Sequence, residues 1–327
     1  MKHFGISIIA AIAIASLCSG CLKYEKKANS STTGTTTIAC DNTFENIMAQ
    51  EIDVFEYQNR DAHVLATYAP QSVVLDSLLS LNTRTVVLPR DITPEEKKFL
   101  KSKRRNARSM KIAVDAVALI VNNDNPVEKL TLGEVADIMA GRTTVWTDIQ
   151  PNAPKGEISV IFDDKGSSLV SYMRDSLLNG AELGPNVYAQ GSIPAVFKTV
   201  KENVNAIGVL GVSWITTDMG NADLTQEELA REVLSDTIVQ GASLSDDIKV
   251  LKIYRNDEAR AYKPYQQNIF DGTYPMFRQI YLITTGNPGS LASGFYSFVT
   301  GNVGQKIILK TGILPARTSI QVVQLGE

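Results

Sequence analysis

The stretch that most constrains the fold is Met110 to Val121 (MKIAVDAVALIV), which is apolar at nearly every position. A strand with one wet face alternates apolar and polar residues, whereas a strand covered on both faces is apolar throughout. The run therefore reads as a long central strand, long enough to cross between two lobes. On either side of it, short apolar stretches alternate with stretches of helical spacing. Thr37-Ile38-Ala39-Cys40 is a strand, and Phe44, Ile47, Met48, Ile52 and Phe55 lie on one face of the helix that follows. A second helix is predicted over 72–81, a strand over Val86-Val87-Leu88, and a third helix opens at Thr93-Pro94-Glu95-Glu96 with proline in its first turn. Helices over 130–141 and 168–178 and strands over 158–162, 207–212 and 277–283 continue the alternation. A last helical region, 290–311, stops at Gly312, with Pro315 beyond it. Such alternation predicts an α/β fold, and no internal repeat is visible.

The N-terminus has a different character. Lys2 precedes an apolar stretch from Phe4 to Leu17, then Ser19-Gly20 and Cys21. That stretch is too short for a membrane-spanning helix, which needs ~20 residues, and it fits a secretory h-region. Cysteine directly after small residues is the pattern of a bacterial lipoprotein. Residues 1–20 are thus expected to be a signal peptide and Cys21 the lipidated residue, anchoring the chain to a membrane. Residues 21–36, rich in Ser, Thr and Lys, read as a flexible tether.

Composition narrows the function. With 32 basic and 35 acidic residues the net charge is −3, which gives no support for a nucleic-acid partner. Once the leader and the lipidated cysteine are set aside, Cys40 is the remaining cysteine and His63 the remaining histidine. No disulfide, no Cys- or multi-His metal site and no cofactor is expected, and a serine hydrolase would have to use His63 as its base. Chemistry is poorly supplied, so a binding role is expected rather than an enzyme. The basic run Lys97, Lys98, Lys101, Lys103, Arg104, Arg105 and Arg108 suits anionic headgroups or a partner. With Phe99 its lone aromatic, it reads as a solvated helix face.

Three helix starts share a design: Asp41-Asn42-Thr43, Ala69-Pro70-Gln71-Ser72 and Asp164-Lys165-Gly166-Ser167-Ser168. The first N–H groups of a helix lack intrahelical acceptors, and the peptide dipoles leave partial positive charge there. Hydroxyls and a glycine beside those groups suit an oxyanion. One such start is an ordinary N-cap. Three of them, each after a strand, fall where open α/β sheets bind ligands.

Several stretches carry a family resemblance. They are Asp41-Asn42-Thr43-Phe44, Asp115 to Asn122, Leu130-Thr131-Leu132 through Gly141 to Trp146, Lys165-Gly166-Ser167-Ser168, Ala206 to Val209, and Gly304 to Pro315. Together they resemble the periplasmic phosphate-binding proteins of phosphate ABC importers, and most of all the shorter lipoprotein versions found in Bacteroidota. The resemblance implies a type II periplasmic-binding-protein fold with two α/β lobes joined by a two-strand hinge. Residues 37–113 plus 277–327 would form one lobe and 114–276 the other. It also implies an anion site drawn from Asn42, Thr43, Phe44, Ser72, Gly166, Ser167 and Ser168, and a monomer that hands phosphate to an inner-membrane ABC permease. The alternative role is a sensor or surface interaction lipoprotein without transport.

Two positions depart from the family pattern. Leu88-Pro89-Arg90-Asp91 stands where an aspartate usually accepts the ligand's proton, and Phe162-Asp163-Asp164 stands where an arginine usually precedes the Gly-Ser loop. Arg90 is the expected source of the missing positive charge, since a guanidinium can grip two oxygens at once.

Overall fold

The computed structural model describes residues 29–216, 225–235, 246 and 248–317. The expected signal peptide, Cys21 and the first half of the tether lie outside these residues. Strand β1 (Gly34–Asp41) leads to α1 (Glu45–Gln58), β2 (Ala62–Ala69), α2 (Gln71–Leu79), β3 (Thr85–Leu88), α3 (Pro94–Ser102) and the long β4 (Arg108–Val121). Then come β5 (Lys129–Thr131), α4 (Leu132–Met139), β6 (Ser159–Phe162), α5 (Ser168–Tyr172), β7 (Val187–Ala189), α6 (Ile193–Glu202) and β8 (Ala206–Gly211). The described elements end with α7 (Gln226–Leu234), β9 (Lys249–Val250), β10 (Lys252–Tyr254), α8 (Gln266–Phe270), β11 (Phe277–Thr284), α9 (Leu291–Val299), α10 (Asn302–Lys310) and β12 (Leu314–Pro315).

The sheet runs β2-β1-β3-β11-β4-β8-β6-β7, with β9 and β12 also on β4. β1, β2 and β3 are mutually parallel, as are β6, β7 and β8. β4 joins the two sets. Its first part pairs antiparallel with β11 up to Ala116, and its second part, from Val117, pairs with β8. The apolar run is explained by this position, because Asp115 to Val121 are fully buried. The chain passes between the sets a second time just before β11, where the Val117 amide donates to the carbonyl of Met276 (2.9 Å).

Local signals set many boundaries. Thr93 and Glu96 form a reciprocal capping box around Pro94 at the start of α3. In three places the structure departs from the expected elements. β1 begins at Gly34, inside the stretch read as tether, because the chain there is already packed. The Ser31 carbonyl oxygen sits 1.8 Å from where a β-carbon on Gly294 would stand, so this approach requires glycine in α9. The helix expected over 168–178 keeps α-geometry only to Tyr172 and widens into a π-turn over Met173–Leu177. The last helical region is two helices, parted by Gly301 in extended backbone (φ −88°, ψ −179°). Phe55 of α1 meets Phe295 and Phe298 edge-on at 5.3 and 5.2 Å, which ties α9 to the first half of the molecule.

Candidate functional site

β1 ends at Asp41, and a single tight turn, Asn42–Phe44, carries the chain into α1. The Asp41 carboxylate caps that turn, its Oδ1 accepting the Thr43 amide (3.0 Å) and the Thr43 hydroxyl (2.5 Å). From the other half, α5 brings the Ser168 hydroxyl to the same oxygen (3.0 Å), 3.3 Å from Thr43 Oγ1. Two of the three helix starts singled out in the sequence therefore meet head to head.

The third participant is Arg278 of β11. In the antiparallel register it stands opposite Asp115 of β4, and side chains opposite one another share a face of the sheet. Its Nε and Nη2 donate to Asp115 Oδ2 (3.1 and 2.9 Å). Nη1 reaches Ser168 Oγ (2.8 Å) and Nη2 reaches Thr43 Oγ1 (3.0 Å), while the guanidinium lies 4.5 Å over the Phe44 ring. One buried cation thus ties together the turn after β1, the start of α5 and the central strand. Space for Asp115 comes from Gly211, where a β-carbon would lie 2.7 Å from Asp115 Oδ2. The next amide, Val212, donates to Asp115 Oδ1 (3.2 Å).

Carboxylates outnumber cations here. Burial pushes the Asp41 carboxyl above its ordinary value, against the pull of Arg278, Thr43 and Ser168. Burial does the same to Asp115, again opposed by Arg278. Asp163, which accepts from Asn42 Nδ2 (3.1 Å), is also raised by burial. Asp41 Oδ2, Asn42 Oδ1 and Asp163 Oδ1 are buried acceptors that no donor among the described residues meets.

A cavity of ≈ 250 Å³ opens beside this network; its wall includes Ser168, Arg278, Tyr172, Arg90 and Gln71, together with one carboxylate, Asp175, which Arg174 pairs. Gln71 is the first residue of α2, whose N-cap, Pro70, offers no side-chain acceptor. The positive end of a nine-residue helix therefore lies at the cavity edge. Burial, against Arg278, pushes the Tyr172 phenol up to about 12, so at neutral pH it is a hydroxyl donor.

Of the residues expected in the site, Thr43, Phe44 and Ser168 converge on Arg278. Asn42 is turned onto Asp163, and the Ser167 hydroxyl is taken up as an N-cap, accepting the Leu169 amide (3.3 Å). Gly166 packs against Pro70, with 3.3 Å from a notional β-carbon to Pro70 Cβ, so the Gly-Ser loop and the α2 start are neighbours. Ser72 is exposed, and Gln71 takes the place on the wall expected for it.

Arg90 does not supply the buried positive charge. Its guanidinium is held by Glu96 of α3 through two bonds (2.7 and 3.0 Å) and by the Asp91 carbonyl (2.7 Å). Arg278 supplies the charge instead. Its sequence signal was a lone cation inside the apolar strand FRQIYLI, matched by a lone Asp115 inside MKIAVDAVALIV. Among the described residues no group of three or more His, Cys, Asp or Glu is placed to hold a metal.

The two halves are also stitched at the turn after β8. Trp214 Nε1 donates to the Thr43 carbonyl (2.8 Å), and Asn46 Nδ2 donates to the Ser213 carbonyl (2.8 Å).

Comparison with known proteins follows the same outline. The phosphate-binding protein PstS of Staphylococcus saprophyticus is 23% identical over 246 residues, which cover 75% of this chain and 68% of that protein. PstS of Pseudomonas aeruginosa PAO1 is 24% identical over 218 residues, 62% of this chain and 58% of that protein. A Clostridium perfringens protein crystallised with bound phosphate superposes with a TM-score of 0.67 at 19% identity, covering 87% of this chain and 100% of that one. An ABC-type phosphate transport receptor from Vibrio cholerae gives 0.62 at 18% identity, over 86% and 100%. The sequence model of the PBP superfamily domain matches residues 26–303. With that match over most of its length, and with this α/β architecture, the chain belongs to the PBP superfamily.

Proposed function

We propose that the protein is an extracytoplasmic solute-binding protein, not an enzyme, which captures phosphate or a similar tetrahedral oxyanion for an ABC importer. The observation that carries this reading is the convergence of the Arg278 guanidinium with the Ser168 hydroxyl on the wall of the cavity, at the edge of the α2 N-terminus. Guanidinium, hydroxyl and helix N-terminus are the three donors that hold oxyanions elsewhere. Residues 37–113 with 277–327, and residues 114–276, are the two lobes in this reading, and they close on the ligand by bending where β4 and the segment before β11 pass between them. Cys21 carries the lipid that anchors the protein to the membrane, and the protein works as a monomer beside its inner-membrane permease.

The charge behind the cavity refines the ligand. The buried carboxyls Asp41, Asp115 and Asp163 around Arg278 favour a protonated oxyanion such as hydrogen phosphate over sulfate, because a proton on the ligand lowers the repulsion. Calorimetric titration of phosphate-stripped protein with phosphate, arsenate, sulfate, molybdate and tungstate tests this. A ligand bound only by the folded state raises stability by ~2.7 kcal/mol at a hundredfold excess over its Kd. Phosphate and arsenate binding ahead of sulfate is the expected order, and no heat with any of the five would end the proposal.

One observation favours the second reading, a sensor or interaction protein without transport. The Asp41 carboxylate already takes the Thr43 and Ser168 donors that an oxyanion would use. Failure of all five anions to bind would select it.

A further inference from the structure

The molecule has a second cationic cavity, larger than the first, at the other ends of β1 and β3. Its volume is ≈ 450 Å³, and its wall includes Thr35 and Thr37 at the start of β1, Arg84 just before β3, Arg105 after α3, and Ser290, the N-cap of α9. Among the described residues no carboxylate stands on that wall. Among the described residues, too, the buried Nη1 of Arg105 has no hydrogen-bond partner, and neither Arg84 nor Arg105 forms an ion pair. A buried guanidinium donor left unmade costs stability that an anionic acceptor would restore. Chain geometry holds Arg105 in this place. α3 ends with Arg104 in the left-handed region (φ 58°), the Arg104 amide donating to Lys101 O (3.0 Å) and the Arg105 amide to Leu100 O (2.9 Å).

We propose that this cavity binds a phosphate group, either the headgroup of an anionic phospholipid or free phosphate. Two further observations fit. The basic run leads into the cavity, with Lys98, Lys101, Lys103 and Arg104 exposed on and just after α3, and such a run draws anions toward the wall. Asn29, the first described residue, stands on the same wall, so the N-terminal segment arrives there. The eight residue steps from Cys21 to Asn29 span at most about 28 Å, which keeps a lipid-anchored chain within reach of headgroups. The site is separate from the cleft at Arg278 and stands or falls independently of it.

The test uses the full chain carrying Cys21→Ser, so that no lipid acts as anchor. One arm measures flotation with phosphatidylcholine vesicles containing or lacking phosphatidylglycerol. The other titrates inorganic phosphate into a Ser168→Asp background, in which the cleft is blocked. Binding is expected in at least one arm, and Arg84→Glu with Arg105→Glu should weaken it at least tenfold while phosphate binding at the cleft of a Ser168 protein stays unchanged. Should circular dichroism show the double variant unfolded, Arg105→Gln alone should still weaken binding severalfold. The proposal is overturned if neither arm binds, if the arginine variants bind like their parent, or if binding falls with Lys98→Glu and Lys101→Glu but not with the arginines.

Discussion

Two arginine sites lie at opposite ends of the same strands, and they handle positive charge in opposite ways. Arg278 is 3% exposed and donates to Asp115, Ser168 and Thr43, so its charge is neutralised within the protein. Among the described residues Arg84 and Arg105 have no carboxylate on their cavity wall, and Arg105 Nη1 has no hydrogen-bond partner. The first site is a structural knot that an anion must share with Asp41 and Asp115; the second is uncommitted charge. An oxyanion bound at the cleft as proposed would compete with carboxylates, and its binding would depend on their protonation. Binding at the proposed far cavity would rest on the two arginines, with no carboxylate among the described residues on the wall.

The largest effect that would sharpen this contrast is on stability. Arg278→Leu leaves Asp115 and Asp41 buried without their cation, and breaking a buried pair on one side costs ~3–5 kcal/mol. Arg84→Leu, at an exposed residue without an ion pair, should stay within about 0.5 kcal/mol. Urea unfolding of both variants checks the difference, and similar midpoints would erase it.

Next is anion affinity. Ser168 donates to Asp41 and accepts from Arg278 on the cavity wall, and a hydrogen bond to a charged group contributes ~1.5–3 kcal/mol. Ser168→Ala should weaken the oxyanion by roughly tenfold to a hundredfold, with binding at the far cavity unaltered. Wild-type affinity in this variant would move the ligand away from the cleft.

The pH dependence should separate the sites as well. Asp41, Asp115 and Asp163 all have carboxyls raised by burial, so they hold protons in the folded state at pH values where they would be ionised unfolded. The stability they contribute is complete below the unfolded carboxylate range, ~4, and is lost as pH rises through their raised values. Protonation also removes negative charge from the cleft. Sulfate, which does not itself titrate here, should bind the cleft more tightly at pH 5 than at pH 8. A far-cavity anion of fixed charge should bind alike at both, and a flat sulfate profile at the cleft would contradict the assignment.

Glu51 provides the control for the stability arm. It is fully buried in α1, both carboxyl oxygens lack partners, and burial holds its pKa well above the ordinary value. Glu51→Met removes two unmet polar atoms and should stabilise the protein by ~1–2 kcal/mol at pH 8 and less at pH 5. The smallest effect is expected at the rim. Arg90 is partly exposed and paired with Glu96, so Arg90→Gln should cost under ~1 kcal/mol. It should also weaken the anion less than Ser168→Ala does, and a larger loss would restore Arg90 as a principal ligand.

What the sequence made legible follows from how local the cause was. The Thr93–Glu96 capping box, the turn at Asp41-Asn42-Thr43 and the buried run of β4 are dictated by neighbours within a few residues or by simple burial. The same capping box also bears on Arg90, since Glu96, six residues on and held by the Thr93 amide, takes its guanidinium as well. The pairing of Arg278 with Asp115 joins residues 163 apart in sequence and depends on the register of β11 against β4, which no local pattern encodes. The π-turn after α5 and the head-to-head meeting of Thr43 with Ser168 are likewise products of tertiary packing.

The bond from Trp214 to the Thr43 carbonyl gives the protein a built-in optical gauge. The chain has two tryptophans, and the other, Trp146, is fully buried with its Nε1 donating to Asn205 O (3.1 Å). If the halves part, Trp214 exchanges a fixed carbonyl partner for water while Trp146 keeps its surroundings. Emission from one indole should then shift to the red against a constant background, so the opening of the cleft can be followed in real time without an attached dye.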